Sequence, residues 1–200
     1  MPNLIKESVR GIEVLAPEDV LFTNREIFLT TEVDSDTANK LIKQLMILEQ
    51  LDNTEEITLY INSPGGEVVS GLAVYDYIHL MKAPVRTVCI GTAASMGAIL
   101  FLAGKKREML PHTMLMIHDP AYGSGDMAGK KPHELQMYVD KLKQSQENIA
   151  CIIAERTGKT LEEICEKTRQ DSYFNVQEAI DYGLATGVVS CTNANKAFLL

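Results

Sequence analysis

Apolar and polar positions change period several times along this chain, and each change marks an element. Glu26–Thr30 (EIFLT) reads as a β-strand. Ala38, Leu41, Ile42, Leu45 and Leu48 recur at helical spacing, with Asp36 placed to cap the helix start. Ile57–Ile61 (ITLYI) is rich in strand formers and ends at the breaker Asn62-Ser63-Pro64-Gly65-Gly66. Glu67–Met81 reads as a helix, and Val85–Ile90 (VRTVCI) as a strand that runs into the small-residue stretch 91–98 (GTAASMGA). A short helix follows to Ala103, and Thr113–Ile117 (TMLMI) is a further apolar strand. A long helix is predicted from about Pro132 to Arg156, with Leu135, Val139, Leu142, Ile149 and Ile153 on one face and Gly158 as its stop. Thr160 and Glu163 form a capping box for TLEEICEKT. Asn175 and Glu178 form a looser one for VQEAIDY, which Gly183 closes. The first two dozen residues are weakly patterned and read as an arm. Alternating strands and helices predict an α/β domain with parallel pairing.

Length and composition narrow the class. A chain of 200 residues fits one domain with a full core. A net charge of −8 leaves no basic patch to neutralise phosphates, which argues against nucleic acid and anionic membrane as partners. Cys89, Cys151, Cys165 and Cys191 form no CxxC pair, so they read as buried free thiols in a reducing compartment. The N-terminus lacks the apolar core of a signal peptide, and the longest apolar run, Ala98–Ala103, is too short to span a bilayer. The expectation is a soluble, cytoplasmic protein that needs no metal or cofactor.

Two strands end in loops of glycine and small residues, and each loop opens a helix. A helix start presents free backbone N–H groups that hold an anion. Phosphate fits poorly, because SPGGEV lacks the lysine and spacing of a P-loop. The oxyanion of an acyl-transfer intermediate fits better, since Ser95 opens the second helix among tiny residues. GTAASMG is not a G-x-S-x-G elbow, because Ala93 stands two residues before the serine. A serine nucleophile needs a base and a group to orient it. Of the four histidines, only His118 sits just past an apolar strand, where active-site groups of α/β sheets tend to lie. A structural histidine and a turn serine remain the alternative readings of these two residues. Spacing does not choose among the 27 acidic residues. Asp119 is a poor orienter, because neighbouring strand residues point to opposite faces.

Three stretches then carry a resemblance: LYINSPGGEVVSGLAVYDYI, CIGTAASMGAILFLAG and MLMIHDP. With AERTGKTLEEICEKTRQDSYFNVQEAIDYGLATGVV they resemble the proteolytic subunit of the Clp protease over about residues 25–189. The resemblance implies a crotonase-like (ClpP-like) α/β fold of stacked β-β-α units with a protruding helical handle, here about 120–156. It implies Ser95 as nucleophile, His118 as general base and Asp171, from TRQDSYF, as the orienting carboxylate. It also implies an oxyanion hole from the backbone N–H groups of Gly66 and Met96. Tyr122, Gly123, Ser124 and Gly125 match the strand to which substrate backbone adds, and cleavage after apolar residues is expected. Tyr60 and Leu80 occupy positions of the family's pocket for a partner. That partner is an AAA+ unfoldase of the ClpX, ClpA or ClpC type, feeding unfolded polypeptide into paired heptameric rings. Residues 1–24 correspond to an axial arm and 25–200 to a single peptidase domain.

Four departures accompany the match. Asp119 stands where the family usually has Gln, and a second carboxylate near His118 is expected to raise its pKa or loosen the handle strand. The loop in DMAGKKPHELQMYV is longer by a few residues. Gln170 replaces an Arg expected before Asp171, with Arg169 one place earlier. The arm lacks the usual Tyr-Ser-Arg-Leu segment. Together they suggest a divergent paralogue, for which a homo-oligomeric tetradecamer and rings mixed with a second isoform both stay open. The alternative functions are a catalytically weak or silent ring subunit, a crotonase-type acyl-thioester enzyme and a membrane-bound signal-peptide peptidase. The complete Ser/His/Asp set, the missing basic cluster for coenzyme A and the missing anchor argue against these in turn.

Overall fold

The computed structural model describes residues 4–8, 11–122 and 129–189. Strands β1 (Leu4–Ser8) and β2 (Gly11–Leu15) pair antiparallel, so the weakly patterned N-terminal region contains a hairpin. A short helix α1 (Pro17–Thr23) leads to β3 (Glu26–Leu29). Helix α2 (Ser35–Leu51) connects β3 to β4 (Ile57–Ser63), and α3 (Val68–Leu80) connects β4 to β5 (Val85–Ala94). Helix α4 (Met96–Leu102), β6 (Lys106–Met109) and β7 (Met114–Ile117) follow. The chain finishes with α5 (Pro132–Thr157), α6 (Leu161–Thr168), β8 (Ser172–Phe174), α7 (Val176–Tyr182) and β9 (Gly187–Val188).

Among the described residues, seven strands form one sheet in the order β3-β4-β5-β6-β9, with β7 joining β5 and β8 joining β7. Every pair in it is parallel except β7–β8. Parallel neighbours require helical crossovers, which α2, α3 and α4 supply. This is the mixed α/β architecture that the alternating pattern and the family resemblance imply. Strand β5 changes neighbour along its length. Arg86–Cys89 pair with β6, whereas Thr92–Ala94 pair with β7. The small-residue stretch expected to be a loop is therefore strand through Ala94. A register shift opposite Ile61–Ser63 takes up the extra residues, and Asn62 fills the gap by accepting from the Thr92 N–H at 3.0 Å.

Helix α2 buries Ala38, Leu41, Leu45 and Leu48, four of the five positions its period predicts, while Ile42 is only partly covered. Full burial of such a leucine stabilises by about 1.5–3 kcal/mol relative to exposure. Its cap is Asp34 rather than Asp36. Asp34 is extended and its Oδ1 accepts from the Thr37 N–H at 2.8 Å, while the Asp34 N–H donates to Thr37 Oγ1 at 2.9 Å. Asp36 instead lies in the first helical turn. Helix α4 is apolar all round and all seven of its residues are buried, packed against β5, α3 and α5.

The predicted boxes at Thr160/Glu163 and Asn175/Glu178 are present, and Gly158 and Gly183 end their helices in the left-handed region. Helix α5 differs from its predicted face. Ile149, Ala150 and Ile153 are buried, Val139 is exposed, and Leu135 and Leu142 are only partly covered. The thiols also depart from expectation: Cys89 is buried, Cys165 partly buried and Cys151 exposed, while Cys191 lies outside the described residues. Strand β6 (KREM) escapes the hydrophobic pattern because one inward position is Arg107. Its guanidinium donates to the carbonyls of Leu184, Gly183 and Arg156 at 2.7–3.3 Å. Burial in that apolar setting lowers the Arg107 pKa to about 10. Among the described residues, no helix is long and apolar enough to cross a membrane.

Candidate active site

Sheet register brings together three side chains from distant parts of the chain. Strand β7 pairs Ala94 with Met116, and the Ser95 N–H donates to the Met116 carbonyl at 2.8 Å. Ser95 is thus pinned beside the end of β7, whose next residues are Ile117 and His118. On the other side of β7, Leu115, Met116 and Ile117 face Phe174, Tyr173 and Ser172 of β8. One antiparallel step further places Asp171 opposite His118. The side chains complete this arrangement. His118 Nε2 lies 2.9 Å from Ser95 Oγ, and His118 Nδ1 lies 3.4 Å from Asp171 Oδ1. The first separation is that of a hydrogen bond; the second is longer than a well-formed one. Asp171 is 58% exposed and His118 28% exposed at the side chain.

Ser95 links the end of β5 to the start of α4 at φ 53°, ψ −122°, a positive-φ conformation rare outside glycine. Its hydroxyl meets His118 at the wall of one cavity. The adjoining loop is shaped around it. Gly65 has φ 98°, and a Cβ there would sit 2.6 Å from the Ala94 oxygen, 2.7 Å from Ser95 Cβ and 2.8 Å from the Met96 nitrogen. Gly66 has φ 147°, and a Cβ there would fall 2.2 Å from the Val33 oxygen. Only glycine permits either approach. The N–H groups of Gly66 and Met96 have no acceptor among the described residues, and both residues line the same cavity as Ser95 and His118.

That cavity measures about 100 Å³. Its remaining wall is apolar: Val68, Ile99, Ile117, Ile149 and Ile153, with Pro120 and Ala121 at the edge. An apolar side chain reaching it would lie next to the Ser95 hydroxyl.

Several contributors carry little signal in the sequence. Ser63 is buried; its hydroxyl donates to the Thr31 carbonyl at 2.6 Å and accepts from the Gly65 N–H at 3.2 Å, which fixes the glycine loop. Its place before Pro-Gly-Gly is a turn signal that does not show this second role. Ile149 and Ile153 reach the cavity from α5, more than fifty residues along the chain from Ser95. Asp119 forms no ion pair with His118. Its carboxylate accepts from Gln146 Nε2 at 2.7 Å, which ties it to the long helix.

The remaining predicted residues are spread out. Tyr122 follows the His118 segment and packs edge-on against Tyr138 of α5, with ring centroids 5.1 Å apart. Gly123, Ser124 and Gly125 lie outside the described residues. Tyr60 stacks on Phe28 at 4.9 Å and donates to Glu26 Oε1 at 3.0 Å. Its burial, followed by the Glu26 carboxylate, pushes its pKa up to about 12. Leu80 ends α3 with 82% of its surface exposed.

The arrangement can perform acyl transfer: a hydroxyl against an imidazole, a carboxylate behind it, two backbone donors and an apolar slot. In comparison with known families, the family model described as Clp protease matches residues 10–192, which implies a peptidase. With nearly the whole chain matched, this protein belongs to the Clp protease family.

Proposed function

We propose that this chain is a serine endopeptidase that degrades unfolded polypeptides to short peptides. One observation carries the reading: the 2.9 Å contact between Ser95 Oγ and His118 Nε2, with Asp171 on the other imidazole nitrogen. His118 takes the Ser95 proton as Oγ attacks the scissile carbonyl. The oxyanion that forms is received by the N–H groups of Gly66 and Met96. His118 then returns the proton to the departing amine, leaving an acyl group on Ser95. Water, activated by the same imidazole, attacks the acyl carbon and frees both the peptide acid and the serine. Asp171 holds the imidazole in the tautomer that leaves Nε2 free to accept.

Substrate backbone adds as an extended strand along Tyr122–Gly125, which is sequence-tolerant recognition. The apolar cavity takes the side chain before the scissile bond, so cleavage after medium-sized apolar residues is favoured. On this reading the chain assembles in the cytoplasm into two stacked heptameric rings, fed by an ATP-driven AAA+ unfoldase that docks near Tyr60 and Leu80; membership of the Clp protease family supports ring assembly and an AAA+ partner in general terms.

A fluorophosphonate probe tests the nucleophile. Wild type is expected to label once per chain, and Ser95→Ala to lose the label while keeping its native mass. Labelling that survives in Ser95→Ala would remove Ser95 from the role. A second reading has one observation in its favour. The 3.4 Å separation and the exposure of Asp171 describe a loosely held base, as in a weak or silent ring subunit that depends on an active isoform. On that reading the purified, assembled wild type fails to label.

A further inference from the structure

The segment after His118 is fastened to two different elements through one residue. The Asp119 N–H donates to the Thr168 carbonyl at 2.7 Å, three residues before Asp171. The Asp119 side chain accepts from Gln146 Nε2 at 2.7 Å, in the middle of α5. Asp119 therefore joins the segment that carries His118 just past β7, the end of α6 three residues before Asp171, and the long helix. A second contact lies just beyond, where Tyr122 meets Tyr138 on the same helix. Between these two fastenings lie Pro120 and Ala121, which line the cavity beside Ser95.

Much of α5 lies at the surface. From Pro132 to Asn148 none of its residues is buried, and burial begins only at Ile149. The helix is thus anchored from Ile149 onward, while the stretch before it holds the active-site segment through the partly covered Gln146 and Tyr138.

We propose that Asp119 and Gln146 form a positioning clasp, which sets the placement of His118 and Asp171 from the long helix. Neither residue touches the reacting atoms. The inference rests on the peptidase reading for its kinetic consequence and on the geometry alone for its structural one. The hydrogen bond has a fixed sense, since a carboxylate can only accept and the Gln146 amide nitrogen only donate. Replacing Gln146 by Glu sets two acceptors against each other, and replacing Asp119 by Asn in that background restores a donor–acceptor pair.

The test uses the full-length, assembled chain as wild type, Gln146→Glu and the Asp119→Asn/Gln146→Glu double variant. Hydrogen–deuterium exchange of the peptide spanning residues 114–122 is measured with steady-state hydrolysis of a short apolar peptide. Gln146→Glu is expected to exchange at least fivefold faster in that peptide, and to lose about tenfold in kcat with KM within twofold. The double variant is expected to recover most of both. Equal exchange in wild type and Gln146→Glu would overturn the clasp whether or not the protein is a peptidase. A kcat loss that the double variant fails to recover would overturn it too. A wild type that fails to hydrolyse peptide yet shows the exchange pattern would sink the peptidase reading and leave the clasp standing.

Discussion

Substituting Gly65 by alanine probes how closely the glycine loop is fitted to Ser95, the proposed nucleophile. The new methyl would lie 2.6–2.8 Å from the Ala94 oxygen, Ser95 Cβ and the Met96 nitrogen. Reaching ordinary contact at 3.4 Å requires the loop and the Ser95 turn to separate by about 0.6–0.8 Å. Two of the three opposing atoms are backbone, so no rotamer change absorbs the movement. The positive φ of 98° adds conformational strain. Overpacking and strain together cost about 2–4 kcal/mol. For a chain of this size that lowers Tm by roughly 4–16 °C. The effect on chemistry is larger, because a misplacement near 1 Å costs about 100-fold in rate. The assay is the second-order rate of fluorophosphonate labelling and kcat for peptide hydrolysis, on protein that circular dichroism shows to be folded. Folded Gly65→Ala that labels within threefold of wild type would show that this loop does not set the geometry of Ser95.

Asp171→Asn should lower kcat about 10²–10⁴-fold with the fold intact, because an amide no longer selects the productive imidazole tautomer; peptide hydrolysis against thermal denaturation checks it. Ile149→Phe should shrink the apolar cavity and shift cleavage from leucine- or methionine-sized residues to alanine-sized ones, as read by mass spectrometry of products from a peptide library. Tyr60 gives a pH effect of known sign. Its pKa is about 12 in the fold against an ordinary 10.0, so between those values the unfolded chain has lost a proton that the folded chain keeps. Stability should therefore fall as pH rises from about 10 to about 12, and urea unfolding of Tyr60→Phe should show a shallower decline.

The sequence carried the fold where one face of an element is buried. Helix α2 and the strands ITLYI and TMLMI announce themselves by period, and the capping boxes at Thr160 and Asn175 announce their helices. It was silent where side-chain chemistry hides the backbone's role. Arg107 masks β6 because its charge is satisfied by carbonyls of later segments, and three-residue β8 exists only by pairing with β7. Residues 91–94 read as loop, since nothing local shows that β5 exchanges β6 for β7 as its partner. The site divides in the same way. Ser95 and His118 stand out by local context, but only the β7–β8 register brings Asp171 to His118, and that register is a long-range fact. The α5 contribution to the cavity was hidden because the helical period alone does not say which stretch of the apolar face is covered.

The backbone of Ser95 has a bearing on how this protein can be improved. An L-residue held at φ 53°, ψ −122° stores roughly 1–3 kcal/mol that glycine would release. Any search for hardier variants by heat challenge would therefore be drawn toward emptying this very position. With Ser95 as the proposed nucleophile, toughness and turnover pull in opposite directions at a single residue, and a screen that scores survival alone would select molecules that endure and do nothing.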